Sequence, residues 1–189
     1  KTYVKCKCLA SSSSVFYLEG SAMKNLLTIA GSDCSGGAGI QADLKTFAAH
    51  GTYGMSVITS VVAENTCRVI SIRVMEPQVI EDQIDAVFED LRVDGIKVGM
   101  LSDTGAMRAV AGKLRQYGPP RPVIDPVMAA TGGGALMRED ARETLCCEII
   151  PLAYVLTPNI PEAEAITGME IRDTDDMGKA AVAIHRMGA

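Results

Sequence analysis

Carboxylate side chains follow directly after two short apolar runs of this sequence. Glu64 comes after a β-branched run over 56–63, and Asp125 comes after Val123 and Ile124. A carboxylate at the end of a buried strand is costly unless it meets a ligand or a hydrogen-bonding partner. Because ligands bind outside the carboxyl ends of the strands in parallel sheets, we expect both acids to face one binding cleft.

A glycine-rich segment, AGSDCSGGAG over residues 30–39, lies between a predicted strand and a predicted helix. Its glycines allow close approach of a ligand, and the helix N-terminus after them is expected to offer free N–H groups to an anion. The segment is not a P-loop, because Gly37 stands where that motif needs Lys. It is not a dinucleotide fingerprint either, because Asp33 breaks the G-x-G spacing. Ligand binding and simple tight packing both stay open.

Three further polar residues are candidates for the same cleft. Asp43 lies one turn inside the helix after the glycine-rich segment, where it either faces the cleft or is a solvated or locally bonded acid. Asn159 and Glu162 are three residues apart at a helix start, which places them on one face. An amide and a carboxylate there suit a water-rich Mg²⁺ site, and a capping box is the alternative.

Strand and helix patterns alternate from Met23 onward. This alternation predicts right-handed crossovers and a mainly parallel α/β sheet with helices on both faces. The predicted strands are Leu26–Ala30, Ser56–Ala63, Val69–Met75, Ile96–Met100, Val123–Val127 and Tyr154–Thr157. The predicted helices are Ile40–Ala49, Pro77–Arg92, Thr104–Tyr117, Glu139–Ile150, Pro161–Thr167 and Thr174–Met187.

Composition excludes several classes of protein. The 189 residues are 48% hydrophobic and 22% charged, which is ordinary for a globular chain of about one domain. The net charge of −5 argues against nucleic-acid binding, and 4% aromatic residues argue against a base-stacking platform. No apolar run reaches the length of a membrane span.

The cysteines and the first residues add two expectations. Six cysteines without a C-x-x-C spacing predict free thiols and a cytoplasmic protein, not a zinc site or a disulfide framework. Residues 1–22 begin without Met and contain the Ser tract 11–14, so we expect a disordered or non-native extension ahead of a domain over 23–189.

Four segments in this order resemble the hydroxymethylpyrimidine and phosphomethylpyrimidine kinases of thiamine biosynthesis, which are ribokinase-like and related to pyridoxal kinase. The segments are AGSDCSGGAGIQADLKTFAAHGTYGMSVITSVVAENT, KVGML, VIDPVM and TPNIPEAEAITG. The resemblance runs from about Met23 to the last residue. It implies ATP-dependent phosphoryl transfer with Mg²⁺ to a small pyrimidine, and a homodimer in the complete enzyme.

The resemblance also assigns site residues. Those matching the pyrimidine pocket are Gly31, Asp43, the Val62 backbone, Glu64 and Met100; those matching the Mg²⁺ and ATP-phosphate element are Asp125, Asn159 and Glu162. Glu64 departs from the Gln usual in the family, and a carboxylate donates no hydrogen bond to a ring nitrogen unless it is protonated. The loop AATGGGALM after Asp125 also departs modestly from the family pattern.

One element of the family pattern is not found. No segment resembles the glycine-rich G-T-G-C anion hole, and none of the six cysteines sits in such a setting, so the catalytic base stays unassigned. We expect a C-terminally truncated domain that is inactive as given. Pyridoxal kinase activity, and a pyrimidine-binding module without turnover, are the alternatives.

Overall fold

A computed structural model describes residues 23–119, 121–129, 137 and 141–189, and the predicted extension over 1–22 lies outside them. The described residues form one six-stranded sheet in the order β3-β2-β1-β4-β5-β6. All neighbours pair in parallel except β2 and β3. The strands are β1 Asn25–Gly31, β2 Tyr53–Glu64, β3 Val69–Val74, β4 Gly95–Val98, β5 Val123–Ile124 and β6 Val155–Leu156. The predicted mainly parallel α/β fold is confirmed.

The helices begin and end at residues suited to those positions. Asp103 caps α3 by accepting from the Ala106 N–H at 2.9 Å, and Gly118 ends it in the left-handed conformation. Pro77 lies in the first turn of α2, where its missing N–H costs nothing. The helices are α1 Gly39–Ala49, α2 Pro77–Asp90, α3 Thr104–Tyr117, α4 Arg142–Thr144, α5 Ile160–Thr167 and α6 Thr174–His185.

The predicted helix Glu139–Ile150 differs from the structure. Residues 139 and 140 lie outside the described part, and from Arg142 the chain passes from α4 into a π-helical turn, Leu145–Ile149. A 3₁₀ turn, Ile150–Leu152, follows. Pro151 has no N–H to continue the hydrogen-bond ladder, so the helical segment ends there.

The two faces of the sheet carry different side chains because alternate strand residues point in opposite directions. Leu27 and Ile29 of β1 lie in the buried core together with Ile80 and Ile84 of α2 and residues of α3. Thr28, between them, points the other way and donates to Asp43 of α1. The apolar face is therefore closed by α2 and α3, and α1 lies on the polar side of β1.

Strand β2 changes partners along its length. Its first half pairs with β1 up to Ser60, and its second half pairs with β3 in the antiparallel direction. The direction follows from the turn over 65–68, which is too short for the crossover that a parallel pair needs. On the side of β2 that faces away from β1, the Gln83 side chain of α2 accepts from the Ile58 N–H and donates to the Ile58 carbonyl. The carboxyl end of β2 thereby extends beyond β1 as a hairpin.

No helix in the described ranges is long and apolar enough to cross a membrane. The four cysteines that the structure describes, Cys34, Cys67, Cys146 and Cys147, form no disulfide, as predicted for them.

Candidate functional site

Five strands end at the same edge of the sheet, because β1, β4, β5, β6 and the first half of β2 run in one direction. Gly31 ends β1 and Glu64 ends β2. Met100 lies two residues beyond β4, Asp125 directly follows β5, and Asn159 precedes α5. The predicted residues therefore gather at the edge where parallel sheets bind ligands.

A buried carboxylate organises the glycine-rich loop over 32–38. Asp33 is only 4% exposed and accepts four hydrogen bonds within this loop. Its donors are the backbone N–H groups of Ser35, Gly37 and Ala38 at 2.7, 2.9 and 2.7 Å and the Ser35 hydroxyl at 3.0 Å. The prediction concerned the free N–H groups at the start of α1; the N–H groups of Gly37 and Ala38, just ahead of that helix, are not free. The Asp33 carboxylate already occupies them.

Burial alone would raise the pKa of Asp33. Hydrogen bonds from the Ser35 hydroxyl and from the backbone of Ser35, Ala38 and Gly37 outweigh burial and hold its pKa below the ordinary value. Asp33 is therefore ionised at neutral pH and supplies a fixed negative charge beneath the loop.

Two glycines bring the loop close to the strand ends. Gly39 has φ +56°, and a Cβ there would overlap the carbonyl oxygen of Gly31, so the backbone itself excludes a side chain. Gly31 lies directly beneath the Met100 methyl group, and the Ser60 hydroxyl would be 3.0 Å from a Cβ at this glycine. Gly31 and Met100, both predicted to line the pyrimidine side, are in direct contact.

Strand β2 is joined to the loop through Ser32. The Ser32 N–H donates to the Ser60 carbonyl at 2.8 Å, and the Val62 N–H donates to the Ser32 hydroxyl at 3.3 Å. Val62 is 2% exposed, so its side chain packs inward while its backbone contacts the loop. The Thr59 hydroxyl donates to the Met100 carbonyl at 2.9 Å. Gly31, Val62 and Met100 thus form one connected wall.

Glu64 stands at the open end of this wall. A bulge separates it from Ala63, and Cys34 holds its backbone: the thiol donates to the Glu64 carbonyl at 3.0 Å, and the Glu64 N–H donates to the sulfur at 3.4 Å. Its carboxyl group accepts no hydrogen bond from the described residues. Burial, and then the nearby Asp33 charge, raise the pKa of Glu64. The site therefore offers a ligand one uncommitted carboxyl group.

Asp43 lies on the polar side of the sheet rather than within this wall. Its carboxylate accepts from the Thr28 hydroxyl at 2.6 Å and from Lys97 of β4 at 3.1 Å. Both partners are side chains of the sheet, and both Asp43 and Lys97 are largely buried. Asp43 is therefore bonded to side chains of the sheet, in line with the bonded alternative, and is not a solvated acid.

The pKa of Asp125 depends on charges of neighbouring elements. Burial raises this pKa, the Lys97 charge opposes that effect, and the Asp43 charge adds to it. Lys97 forms its ion pair with Asp43, and the charges of both residues reach Asp125 at the end of β5.

Asn159 and Glu162 form a complete capping box at the start of α5. The Asn159 side chain accepts from the Glu162 N–H at 2.9 Å, and the Glu162 carboxylate accepts from the Asn159 N–H at 2.9 Å. The second Glu162 oxygen accepts from the Met128 N–H at 3.4 Å. Glu162 therefore joins α5 to the segment that follows Asp125. The capping alternative is confirmed, and the Mg²⁺ role stays a prediction.

The described side chains do not form a complete metal-binding site on their own. Among the described residues, no three His, Cys, Asp or Glu side chains gather as a metal site. Mg²⁺ commonly keeps several waters and binds through one or two carboxylates together with substrate phosphates. Asp125 and Glu162 fit that mode, because Glu162 retains lone pairs beyond its two backbone contacts. Most of the loop AATGGGALM lies outside the described residues.

Sequence patterns missed two side chains of this site. Asp33 lies in the glycine-rich segment, and an Asp two residues before Ser35 was a local signal for a carboxylate that bonds its own loop. Lys97 interrupts the otherwise apolar run Ile96–Val98, and a lysine inside a strand signals a partner on the polar face.

Comparisons with known proteins show the family to which the chain belongs. A family model described as phosphomethylpyrimidine kinase matches residues 33–189. The hydroxymethylpyrimidine/phosphomethylpyrimidine kinase of Bacillus subtilis is 50% identical over 163 residues, covering 86% of this chain and 60% of the relative. The same-named protein of Rhizobium meliloti is 51% identical over 164 residues, covering 86% and 61%. The chain thus spans about three fifths of the length of these relatives.

Solved structures show the same fold. Phosphomethylpyrimidine kinase from Clostridium difficile superposes with a TM-score of 0.82 at 49% identity, covering 87% of this chain and 73% of that one. The pyridoxal kinase of Staphylococcus aureus in complex with pyridoxal superposes with a TM-score of 0.80 at 35% identity, covering 89% and 62%. These neighbours are ribokinase-like vitamin kinases, as the sequence resemblance implied.

Proposed function

The chain belongs to the phosphomethylpyrimidine kinase family, and we propose that it supplies the pyrimidine and nucleotide sites of an enzyme of thiamine biosynthesis that phosphorylates 4-amino-5-hydroxymethyl-2-methylpyrimidine and its monophosphate with ATP. The observation that carries this proposal is the 50% identity to the B. subtilis kinase over 163 residues. That stretch includes most of the strand ends and loops where the predicted residues meet.

The pyrimidine ring is assigned to the wall formed by Gly31, Val62 and Met100. The wall is apolar, because the Met100 methyl group fills the space where a side chain of Gly31 would lie, and Met100 and Val62 are both buried. Glu64 faces the polar edge of the ring from the end of β2. Asp43 supports the wall from the polar side of the sheet through its contacts with Thr28 and Lys97.

The nucleotide is assigned to the side of Asp125, Asn159 and Glu162. Bound Mg²⁺ neutralises phosphate charge in such transfers. The Glu162 contact with Met128 fixes the segment after Asp125 relative to α5, so that both carboxylates keep their places. Because phosphoryl transfer depends mainly on positioning, the chain's contribution is to hold the pyrimidine hydroxyl and the nucleotide on neighbouring strand ends.

Calorimetric titration of the purified chain tests the proposal. We expect saturable binding of hydroxymethylpyrimidine with one site, and binding of a non-hydrolysable ATP analogue with Mg²⁺ to the pyrimidine complex. A chain that binds the pyrimidine and no nucleotide would be the non-catalytic binding module. Absence of pyrimidine binding would contradict the proposal.

Pyridoxal phosphorylation is the second candidate, because the S. aureus pyridoxal kinase superposes at 35% identity over 89% of this chain. The 50% identity to the named pyrimidine kinase favours the pyrimidine. Competition between the two ligands separates the candidates: we expect hydroxymethylpyrimidine to displace pyridoxal at the lower concentration.

A further inference from the structure

Two side-chain hydroxyl groups are buried without a hydrogen-bonding partner among the described residues, those of Ser60 and Ser102. Ser102 directly precedes the α3 cap, whereas Ser60 lies in β2 opposite the last residue of β1. A buried hydroxyl group without a partner lowers stability, because water satisfies the same group in the unfolded chain. Alanine would occupy the place of Ser60 without that cost, so the hydroxyl group there indicates a partner from outside the chain.

The Ser60 hydroxyl group lies beneath the wall formed by Gly31, Val62 and Met100. Ser60 pairs with Gly31 across β2 and β1, and its hydroxyl oxygen is 3.0 Å from the place that a Cβ of Gly31 would take. The Met100 methyl group fills that same place. The missing side chain of Gly31 therefore lets the Ser60 hydroxyl group and the Met100 methyl group lie side by side on the Gly31 backbone.

The Met100 side chain is held in this position by packing. Its backbone is fixed, because the Met100 carbonyl accepts from the Thr59 hydroxyl at 2.9 Å. The side chain itself has three rotatable bonds and no polar hydrogen, and methionine adapts readily to spaces of different shape. Met100 also lies beyond the end of β4, at the edge where the parallel strands end. Rotation of its side chain would therefore uncover the Ser60 hydroxyl group from the side of the strand ends.

The surroundings of the Ser60 hydroxyl group favour a hydrogen bond to a flat heterocycle. A hydroxyl group both donates and accepts, so it can pair with a ring nitrogen or with an amino group. Val62 and Met100 are buried apolar side chains, and a hydrogen bond in such a place is stronger than one exposed to water. A polar atom set in an apolar wall is the usual way in which a small-molecule site fixes the orientation of its ligand.

Resting on the proposed function, we propose that the Met100 side chain is a movable cover and that the Ser60 hydroxyl group beneath it is a specificity contact. The aminopyrimidine displaces the Met100 methyl group, and the hydroxyl group then bonds to a nitrogen atom of the ligand. The free chain carries one unsatisfied hydroxyl group, and the complex does not. Removal of this group should therefore stabilise the free chain and weaken ligand binding.

Ser60→Ala tests the proposal with two measurements. The urea midpoint of the free variant should rise, because alanine removes an unsatisfied buried group. In calorimetric titration with hydroxymethylpyrimidine, Kd should rise about 2- to 12-fold, which is the loss of one hydrogen bond. Because Met100 covers the hydroxyl group in the free chain, this loss also reports the displacement of Met100. The matched control Ser71→Ala, at an exposed serine of β3, should leave both measurements unchanged.

Each contrary outcome is distinct. Wild-type pyrimidine affinity in Ser60→Ala would overturn the inference and leave the proposed function standing. A lower urea midpoint in Ser60→Ala would show that the hydroxyl group has a partner within the folded chain, and would equally overturn it. Absence of pyrimidine binding in the wild type and in both variants would contradict the proposed function and the inference together.

Discussion

Glu64 carries a carboxyl group at the end of β2 and is proposed to contact the pyrimidine, so removing it should weaken ligand binding. Glu64→Ala deletes a partly buried hydrogen-bonding group, so we expect pyrimidine affinity to fall about 5- to 150-fold, or about 1–3 kcal/mol. Calorimetric titration with hydroxymethylpyrimidine measures the change.

The control for this prediction is Glu89→Ala on α2, which should leave pyrimidine affinity unchanged. Thermal unfolding of both variants shows whether each is folded. A folded Glu64→Ala variant with wild-type affinity would remove Glu64 from the binding site.

Replacing Gly39 or Gly112 by alanine is expected to change the free energy of unfolding in opposite directions. Gly39 has φ +56° and faces the Gly31 carbonyl, so Gly39→Ala should lower the free energy of unfolding by about 1–3 kcal/mol. Gly112 lies exposed inside α3 with open space around it, so Gly112→Ala should raise the free energy by up to about 1 kcal/mol. Urea unfolding measures both. Equal effects would mean that the loop does not constrain Gly39.

At the residue scale, sequence patterns identified the strand-end acids and missed their partners. Glu64 and Asp125 were found because a carboxylate after an apolar strand is costly without a function. The bond between Asp43 and Lys97 was not predicted, because these residues are 54 positions apart and meet only through the pairing of β1 and β4. The role of Asp33 depends on the folded path of its own loop.

The ionised Asp33 carboxylate holds the loop between β1 and α1, so the free energy of unfolding should depend on pH. The pKa of Asp33 is lowered in the folded protein, so its contribution is present above about pH 4 and is lost as the pH falls through the folded value. Asp33→Asn should therefore be less stable than the wild type at pH 6, and this difference should shrink between about pH 4 and pH 2.

Urea unfolding over that pH range measures the difference. Asp90→Asn, an exposed acid of α2, is the control and should follow the wild type. A stability difference between Asp33→Asn and the wild type that is the same at pH 6 and pH 3 would show that the Asp33 charge does not hold the loop.

Glu162 of α5 belongs to a capping box and is also a predicted nucleotide-binding residue. One substitution separates the structural role from the binding role. Gln keeps the one acceptor oxygen that the capping box needs, but its NH2 group cannot accept from the Met128 N–H, so Glu162→Gln should lower the melting temperature modestly. It removes a negative charge, so the Mg²⁺ concentration needed for half-maximal binding of an ATP analogue should rise while pyrimidine affinity stays nearly constant. Equal losses of pyrimidine and nucleotide affinity would show that Glu162 acts only through the cap.

At the element scale, periodicity and capping residues predicted most of the helices and strands. Helix α3 matches its predicted bounds, because Asp103 and Gly118 mark its two ends. The predicted strand Val123–Val127 is shorter in the structure, Val123–Ile124, since strand length depends on the pairing partner. The antiparallel direction of β3 likewise depends on its neighbour, which the strand's own residues do not specify.

At the scale of the whole molecule, the parallel strands determine where every predicted site residue lies. The sheet order places β1 between β2 and β4, so Gly31, Glu64 and Met100 lie on adjacent strand ends although they are far apart in sequence. Asp125 directly follows β5, the next strand of the sheet, and the charges of Lys97 and Asp43 influence its pKa. We propose that this edge of the sheet binds an aminopyrimidine beside a nucleotide.

Backbone amide NMR of the labelled chain, titrated with hydroxymethylpyrimidine, tests that claim most directly. We predict that the largest chemical-shift changes fall on Gly31, Val62, Glu64 and Met100. The cleft between α4 and the end of α5, lined by Arg142, Cys146 and Thr167, should stay unchanged. Saturable shifts confined to that second cleft, or no shifts at the strand ends, would contradict the account.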